Sequence, residues 1–406
     1  MSAPRIPNPP SWAEKLFTVG VTGTNGKTTT TAWVAAALRV LSHPVARATT
    51  VGFFLDEQPF EIERSYDGFI KGMRACVDRG GTHAAIELTS EALARGFARA
   101  WPCKVGVFTN LTHDHLDAHG SPEHYLASKA QLFVSLPVDG TAILNASDEN
   151  FPLLREILPP HVKLRTYAVP SRGEVHGTPD LVAKDVTVDW SGTRIACESP
   201  DPTLPKEVRV RAIGSVYAEN ALAALLGAVA AGVDPERAAD AIAEAPPPPG
   251  RFEVIHERPW VVVDYAHSPD ALKRTVQIAR ELTNAGPAGA RLFVVFGAGG
   301  RRDKDKRKPM GEAARPADVV LLTTDNPRDE DPAVIARAIA EGLVGHPGRK
   351  TILDRERAIE MAVKDAKEND VVLIAGKGHE TDMTVGEEVR HFSDVEVAKK
   401  YLAERR

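Results

Sequence analysis

Short, nearly continuous apolar runs alternate along this chain with stretches in which Ala, Leu, Glu and Arg recur at helical spacing. Leu16 to Val21, Thr82 to Glu87, Val105 to Asn110 and Thr141 to Asn145 read as strands, each beside a candidate helix such as Thr30 to Leu41 or Glu123 to Phe133. That order predicts an α/β fold with a mostly parallel sheet. Between residues 162 and 213 the pattern changes: Val, Thr and Arg alternate in Asp185 to Glu198 and Glu207 to Ile213, which predicts a small antiparallel insertion. Helical spacing returns at Glu219 to Ala231 and Pro235 to Ala245. Pro246 to Pro249 and Gly250 then interrupt everything, because four prolines cannot continue a helix and favour a semi-rigid spacer. Beyond them Trp260 to Asp264, Arg291 to Phe296, Asp318 to Thr323 and Asp370 to Ala375 predict a second, smaller α/β domain.

Composition narrows the field. With 406 residues, 43% of them hydrophobic and 26% charged, the chain can bury two cores, and disorder is not expected. A net charge of −5 leaves no basic excess for a nucleic-acid backbone, and the cluster from Arg301 to Lys308 suits small anionic ligands or solvation. Cys76, Cys103 and Cys197 lack metal-ligand spacing and predict free thiols in a reducing compartment. No apolar leader and no membrane-length run are present, so a cytoplasmic protein without membrane or nucleic-acid partners is expected.

The chemistry starts at Thr22 to Thr28, where Gly23, Thr24, Asn25, Gly26, Lys27 and Thr28 join a strand to a helix. Such a turn aims backbone N–H groups at a phosphate, Lys27 adds a cation, and the Thr28 hydroxyl can meet Mg²⁺, so the chain is expected to bind ATP. Val21 stands where the strict P-loop spacing wants glycine. Glu87 ends a strand, at the edge of the sheet where doubly wound folds bind ligands. Phe108 to Asp117 crowds two His and two Asp onto another strand exit, and hard oxygen ligands plus an imidazole, with no thiol near, suit Mg²⁺ or Mn²⁺ better than Zn²⁺. Lys129 lies among small and apolar residues of a predicted helix. In the second half, Asp264 to Asp270, Phe296 to Lys304, Asp325 to Arg328 and Ala375 to Glu380 all follow strands. Acceptors (Glu380, Asn326) and guanidinium donors (Arg302, Arg328) on one sheet edge would suit a zwitterion.

Taken together these segments resemble the Mur ligase family, ATP-dependent enzymes that join an amino acid to a carboxylate through an acyl phosphate. The resemblance covers about residues 17–395 and is nearest to the MurE-type branch that adds meso-diaminopimelate. It implies an N-terminal extension over 1–16, a P-loop-containing central ATP-binding domain over 17–245, the linker 246–250, and a smaller Rossmann-like C-terminal domain over 251–406 that binds the amino acid. It also implies residue roles. Thr24, Asn25, Gly26, Lys27, Thr28 and Thr29 would hold the nucleotide, with Asn110, Asn220, Arg251, Asp264 and His267; Thr28, Glu87, His115 and Lys129 would serve the metal. Lys27, Lys129 and His115 would be catalytic, with Lys129 carbamylated. Arg302, Asn326, Arg328, Gly376 and Glu380 match the diaminopimelate-binding set, the arginines meeting carboxylates and Glu380 the distal ammonium. Closure of the C-terminal domain would bring the amine to the acyl phosphate and exclude water.

The acceptor half departs from that pattern. Only about twenty residues precede the phosphate loop, too few for the small domain, on the order of a hundred residues, that holds the UDP group in the family. The element after the metal Glu reads Thr89-Ser90-Glu91, Arg95 and Phe97 replace the usual Gln and Arg, and Tyr217 replaces an Asn. The expectation is a monomeric diamino-acid ligase with an altered carboxylate acceptor, such as a γ-D-glutamyl peptide, and with room for a separate partner domain. Two other readings stand beside it: a Mur-like ligase of the cyanophycin- or folylpolyglutamate-synthetase kind, and a noncatalytic subunit completed by a separate N-terminal-domain protein.

Overall fold

A computed structural model describes residues 6–111, 122–301 and 303–405. The chain divides into two compact units, Met1–Pro246 and Pro247–Arg406. The first holds one sheet built from β1 (Phe17–Thr22), β2 (Ala46–Thr49), β3 (Gly52–Leu55), β4 (Gln58–Pro59), β5 (His83–Glu87), β6 (Val105–Phe108), β7 (Thr141–Asn145), β8 (Lys163–Ala168), β9 (Leu181–Asp189), β10 (Gly192–Glu198) and β11 (Glu207–Val210). Their spatial order is β11-β10-β9-β8-β7-β6-β1-β5-β2-β3-β4. Strands β9 to β2 across the middle pair in parallel, and antiparallel strands finish both edges.

Side chains alternate across this sheet as the pleat requires. Val19 and Val21 point to a core shared with Trp33 of helix Lys27–Leu38 and Leu225 of helix Tyr217–Ala230. Ala84, Ile86, Phe108 and Leu144 face the other side, packed with Met73 of helix Tyr66–Asp78 and Phe133 of helix Pro122–Val134. Gly20 lets that second layer approach, since a Cβ there would stand 2.8 Å from Cys103 Sγ and 2.9 Å from Leu88 Cδ1.

Three local outcomes differ from the sequence pattern. The antiparallel strands β9 to β11 extend the central sheet instead of forming an insertion, because Leu181, Ala183, Ile195 and Val208 join the same core as Val19. Helix Lys27–Leu38 begins three positions before Thr30, since Gly26 in the left-handed region (φ 82°) turns the chain straight into it. Strand β6 stops at Phe108, and Thr109 and Asn110 bond to the phosphate loop instead.

The second unit is a sheet of order β12-β13-β17-β14-β15-β16, from β12 (Glu253–Glu257), β13 (Trp260–Asp264), β14 (Leu292–Phe296), β15 (Val319–Leu322), β16 (Arg349–Thr351) and β17 (Val371–Ala375). Only β12 runs antiparallel. A hairpin, β18 (Asp382–Val385) and β19 (Glu388–His391), stands apart from it. Ser268 caps helix Pro269–Ala285, accepting from the Ala271 N–H, with Pro269 pre-set for the first turn.

Candidate active site

In the first unit the carboxyl ends of β1, β5 and β6 lie side by side, with Val21 opposite Glu87 and Thr22 opposite Phe108. The phosphate loop is therefore sewn to the β6 exit. Thr24 N–H donates to the Asn110 carbonyl at 2.8 Å, Asn25 N–H to Asn110 Oδ1 at 3.0 Å, and Thr109 Oγ1 to the Asn25 carbonyl at 2.7 Å. Space around the loop admits only glycine at two positions. A Cβ on Gly23 (φ 151°) would fall 1.9 Å from Thr109 Oγ1, and one on Gly26 would fall 2.1 Å from Asn220 Oδ1. That second contact places Asn220 against the loop. Thr29 is buried in the first helical turn, and Lys27 Nζ donates back to the Thr24 carbonyl at 2.7 Å.

Glu87 is held from two sides. Its Oε2 accepts from Thr28 Oγ1 at 2.8 Å, from Thr50 N–H at 3.1 Å and from Thr50 Oγ1 at 3.2 Å. Thr50 escaped sequence reasoning; its only signal is a Thr-Thr pair at the end of β2. A carboxylate and a hydroxyl brought together beside a phosphate cradle are hard oxygen donors that fit Mg²⁺. Lys129 is 1% exposed, donates to the Gly23 carbonyl at 2.6 Å and sits 4.2 Å from the centre of the Tyr125 ring. Burial first, and the charge of Lys27 second, push its ammonium down to about 6. His115 lies outside the described residues, as do His113, Asp114 and Asp117.

A buried network behind the loop was not read from the sequence either. Asn145 Nδ2 donates to the Thr109 carbonyl at 2.8 Å and to Glu219 Oε1 at 3.1 Å, Arg172 Nε reaches Glu219 Oε2 at 3.3 Å, and Tyr167 Oη donates to the Phe108 carbonyl at 3.0 Å. Burial raises the Glu219 carboxyl, and Arg172 works against that rise. These groups fix the backbone of Thr109, hence the loop that Thr109 ties down.

In the second unit Asp264, at the end of β13, spends its carboxylate on the protein. It accepts from Phe252 N–H at 2.6 Å, Ala266 N–H at 2.8 Å and Thr275 Oγ1 at 3.1 Å. Burial raises this carboxyl, while its backbone bond to Phe252 and the charge of the neighbouring Arg251 oppose the rise; the Arg251 guanidinium lies 4.7 Å from the centre of the Tyr265 ring. His267 and His379 flank the same ring, with centroids 4.7 and 5.4 Å away.

Glu380 is the best-supported carboxylate here. Asn326 Nδ2 donates to its Oε2 at 3.3 Å and Lys377 Nζ lies 3.5 Å from that oxygen; burial first, and the charge of Glu380 second, raise the nearby Tyr265 phenol. Lys377 is fully buried, and it also donates to the Asp382 carbonyl. Asn326 further accepts from Thr384 N–H at 2.9 Å, and Arg328 Nη1 donates to the Gly300 carbonyl at 2.7 Å. Both Asn326 (φ 43°) and Arg328 (φ 53°) hold left-handed backbone, a conformation that costs a side-chain-bearing residue energy and collects at functional sites. Gly376 (φ 118°) is required because a Cβ would meet Asp325 Oδ2 at 2.4 Å. Asp325 is itself buried, which raises its carboxyl, while Arg355 and Lys377 oppose that rise. Arg302 lies outside the described residues. The structure thus brings together Lys27, Thr28, Glu87, Asn110, Asn220 and Lys129 in one unit, and Asn326, Arg328, Gly376 and Glu380 in the other.

Two family descriptions match this chain: Mur ligase middle domain over residues 21–228, and Mur ligase, glutamate ligase domain over residues 250–378. The UDP-N-acetylmuramoyl-L-alanyl-D-glutamate--2,6-diaminopimelate ligase of Bacillus velezensis is 35% identical over 403 residues, covering 96% of this chain and 79% of that protein. The ligase of the same name from Trichormus variabilis is 37% identical over 405 residues, covering 97% and 78%. A solved structure of a ligase so named superposes with a TM-score of 0.71 at 31% identity, covering 96% of this chain and 78% of that one. The fold is also that of Mycobacterium tuberculosis folylpolyglutamate synthase in complex with ADP and AMPPCP, with a TM-score of 0.70 at 18% identity over 98% of this chain and 93% of that one. The chain belongs to the Mur ligase family, and its similarity within that family runs to the MurE-type ligases.

Proposed function

We propose that this chain is an ADP-forming amide ligase that activates an acceptor carboxylate as an acyl phosphate and joins it to meso-diaminopimelate. The observation that carries this reading is the meeting of Lys27, Thr28, Glu87 and Lys129 around one glycine-shaped cradle, beside Asn110 and Asn220. ATP would lie with its phosphates on the N–H groups from Thr24 to Thr29, and Lys27 would leave the Thr24 carbonyl to meet them. Thr28 and Glu87 would hold Mg²⁺, which supplies charge neutralisation for phosphoryl transfer. Lys129 is suited to carbamylation: an amine that titrates near 6 is largely neutral at pH 7, and only the neutral amine adds to CO₂. A carbamate there would replace a largely neutral buried amine by an anion facing the same cradle.

The amine partner would be recognised in the second unit. Glu380, already oriented by Asn326 and Lys377, would take the distal ammonium, and Arg328 a carboxylate. Lysine, lacking the second carboxylate, would leave a guanidinium without its ion and should be a poor substrate. An altered acceptor site has its own support. Arg95 pairs with Glu91 at 2.6 Å on an exposed helix turn, and Phe97 packs edge-on against Phe69 at 5.2 Å, so Phe97 brings no polar group to its position. A γ-D-glutamyl carboxylate remains the acceptor class proposed.

The test is phosphate release with ATP and Mg²⁺ over meso-diaminopimelate, lysine, ornithine, glutamate and aspartate, crossed with acceptors that carry or lack UDP. Turnover with meso-diaminopimelate supports the reading. Turnover with glutamate alone would favour a folylpolyglutamate-synthetase-like activity, and turnover only with UDP-N-acetylmuramoyl-dipeptide would overturn the altered acceptor site.

A further inference from the structure

Arg307 is 2% exposed, and its Nε has no hydrogen-bond partner among the described residues, an expensive arrangement for a cation unless the guanidinium is needed where it is. Its Nη2 donates to Glu330 Oε2 at 2.9 Å. The other oxygen of Glu330 accepts from the Arg301 N–H at 2.6 Å. One carboxylate therefore ties a buried arginine to the glycine-rich loop after β14.

That loop and the turn carrying Arg328 interlock. Gly300 N–H donates to the Asn326 carbonyl at 3.0 Å, Arg328 Nη1 donates to the Gly300 carbonyl at 2.7 Å, and Glu330 N–H closes the turn on the Pro327 carbonyl at 3.1 Å. A Cβ on Gly300 would stand 1.9 Å from the Pro327 carbonyl oxygen, so the two backbones touch. Arg301 (φ 49°) and Arg328 both hold left-handed backbone within this lacing. Where the guanidinium of Arg328 lies is thus set by where Gly300 lies. Gly300 is in turn set by the hold of Glu330 on the next residue.

We infer that Arg307 and Glu330 are a positioning pair for amino-acid selection: they fix the loop that aims Arg328, and so set the preference for a substrate with a second carboxylate. The inference rests on the diaminopimelate reading proposed above. It separates from a general stabilising role because it concerns one group of the ligand. Loosening the pair should weaken recognition of the extra carboxylate more than that of the ammonium, since Glu380 keeps its tie to the buried Lys377.

Calorimetric titration of the full chain with meso-diaminopimelate and with L-lysine tests this, on the wild type and on Glu330→Gln. A second variant, Arg307→Met/Glu330→Leu, removes both charges and leaves no buried cation unpaired, should Glu330→Gln fold poorly. The wild type should bind meso-diaminopimelate more tightly than lysine. In the variants the meso-diaminopimelate affinity should fall about tenfold and the lysine affinity less than about twofold, collapsing the preference. Equal weakening of both ligands, or no change in either, overturns the positioning role. A wild type that binds the two alike overturns the diaminopimelate reading, and this inference with it.

Discussion

Lys129 is the residue at which burial matters most. Its ammonium titrates near 6 in the folded chain against a usual 10.5, so between those values the unfolded chain binds more protons and stability rises with pH. The full penalty is present below the folded value. Lys129→Met should therefore raise stability at pH 7 by roughly 2–4 kcal/mol in metal-free buffer and flatten its pH dependence, measured by urea unfolding at several pH values. The same variant should lose ligase activity, and only the wild type should take up label from isotopic bicarbonate. Asp264 makes the opposite case. Asp264→Asn turns one of its acceptor oxygens into an NH₂ group facing donors, and should cost about 2–4 kcal/mol by urea unfolding.

At the scale of elements, the strand-loop-helix phosphate cradle depends on two glycines with different neighbours. Gly23→Ala would drive a Cβ into Thr109 Oγ1, and Gly26→Ala into Asn220 Oδ1. Each should weaken binding of a fluorescent ATP analogue more than about tenfold, since the loop cannot close as built. Such a cradle was legible in the sequence because its residues are contiguous, and so were the strand exits at Glu87, Asp264, Asn326 and Gly376. Thr50, Asn145 and Arg172 were not, because they reach the site only through sheet order, which places β2 and β7 near β1 although the chain does not. The sheet-extending strands β9 to β11 were misjudged for a related reason. Alternation tells which face of a strand is buried, and is silent on which sheet it joins.

For the whole molecule, two units with separate cores predict separable responses to ligand. Differential scanning calorimetry should show ADP or an ATP analogue acting mainly on the transition of the first unit, and meso-diaminopimelate on that of the second. At a hundredfold excess over Kd each should add about 2.7 kcal/mol to its own unit. The left-handed backbone at Asn326 and Arg328 carries a consequence of another kind. Glycine relieves the strain at either position but gives up the bonds that the side chain makes, Asn326 to Thr384 and Glu380 and Arg328 to Gly300, so Arg328→Gly should melt above Arg328→Ala, which loses the bond and keeps the strain. On the proposed reading either glycine also discards a side chain meant for the amino acid. Strain and grip are then written at the same two residues, and a change that eases the one gives up the other.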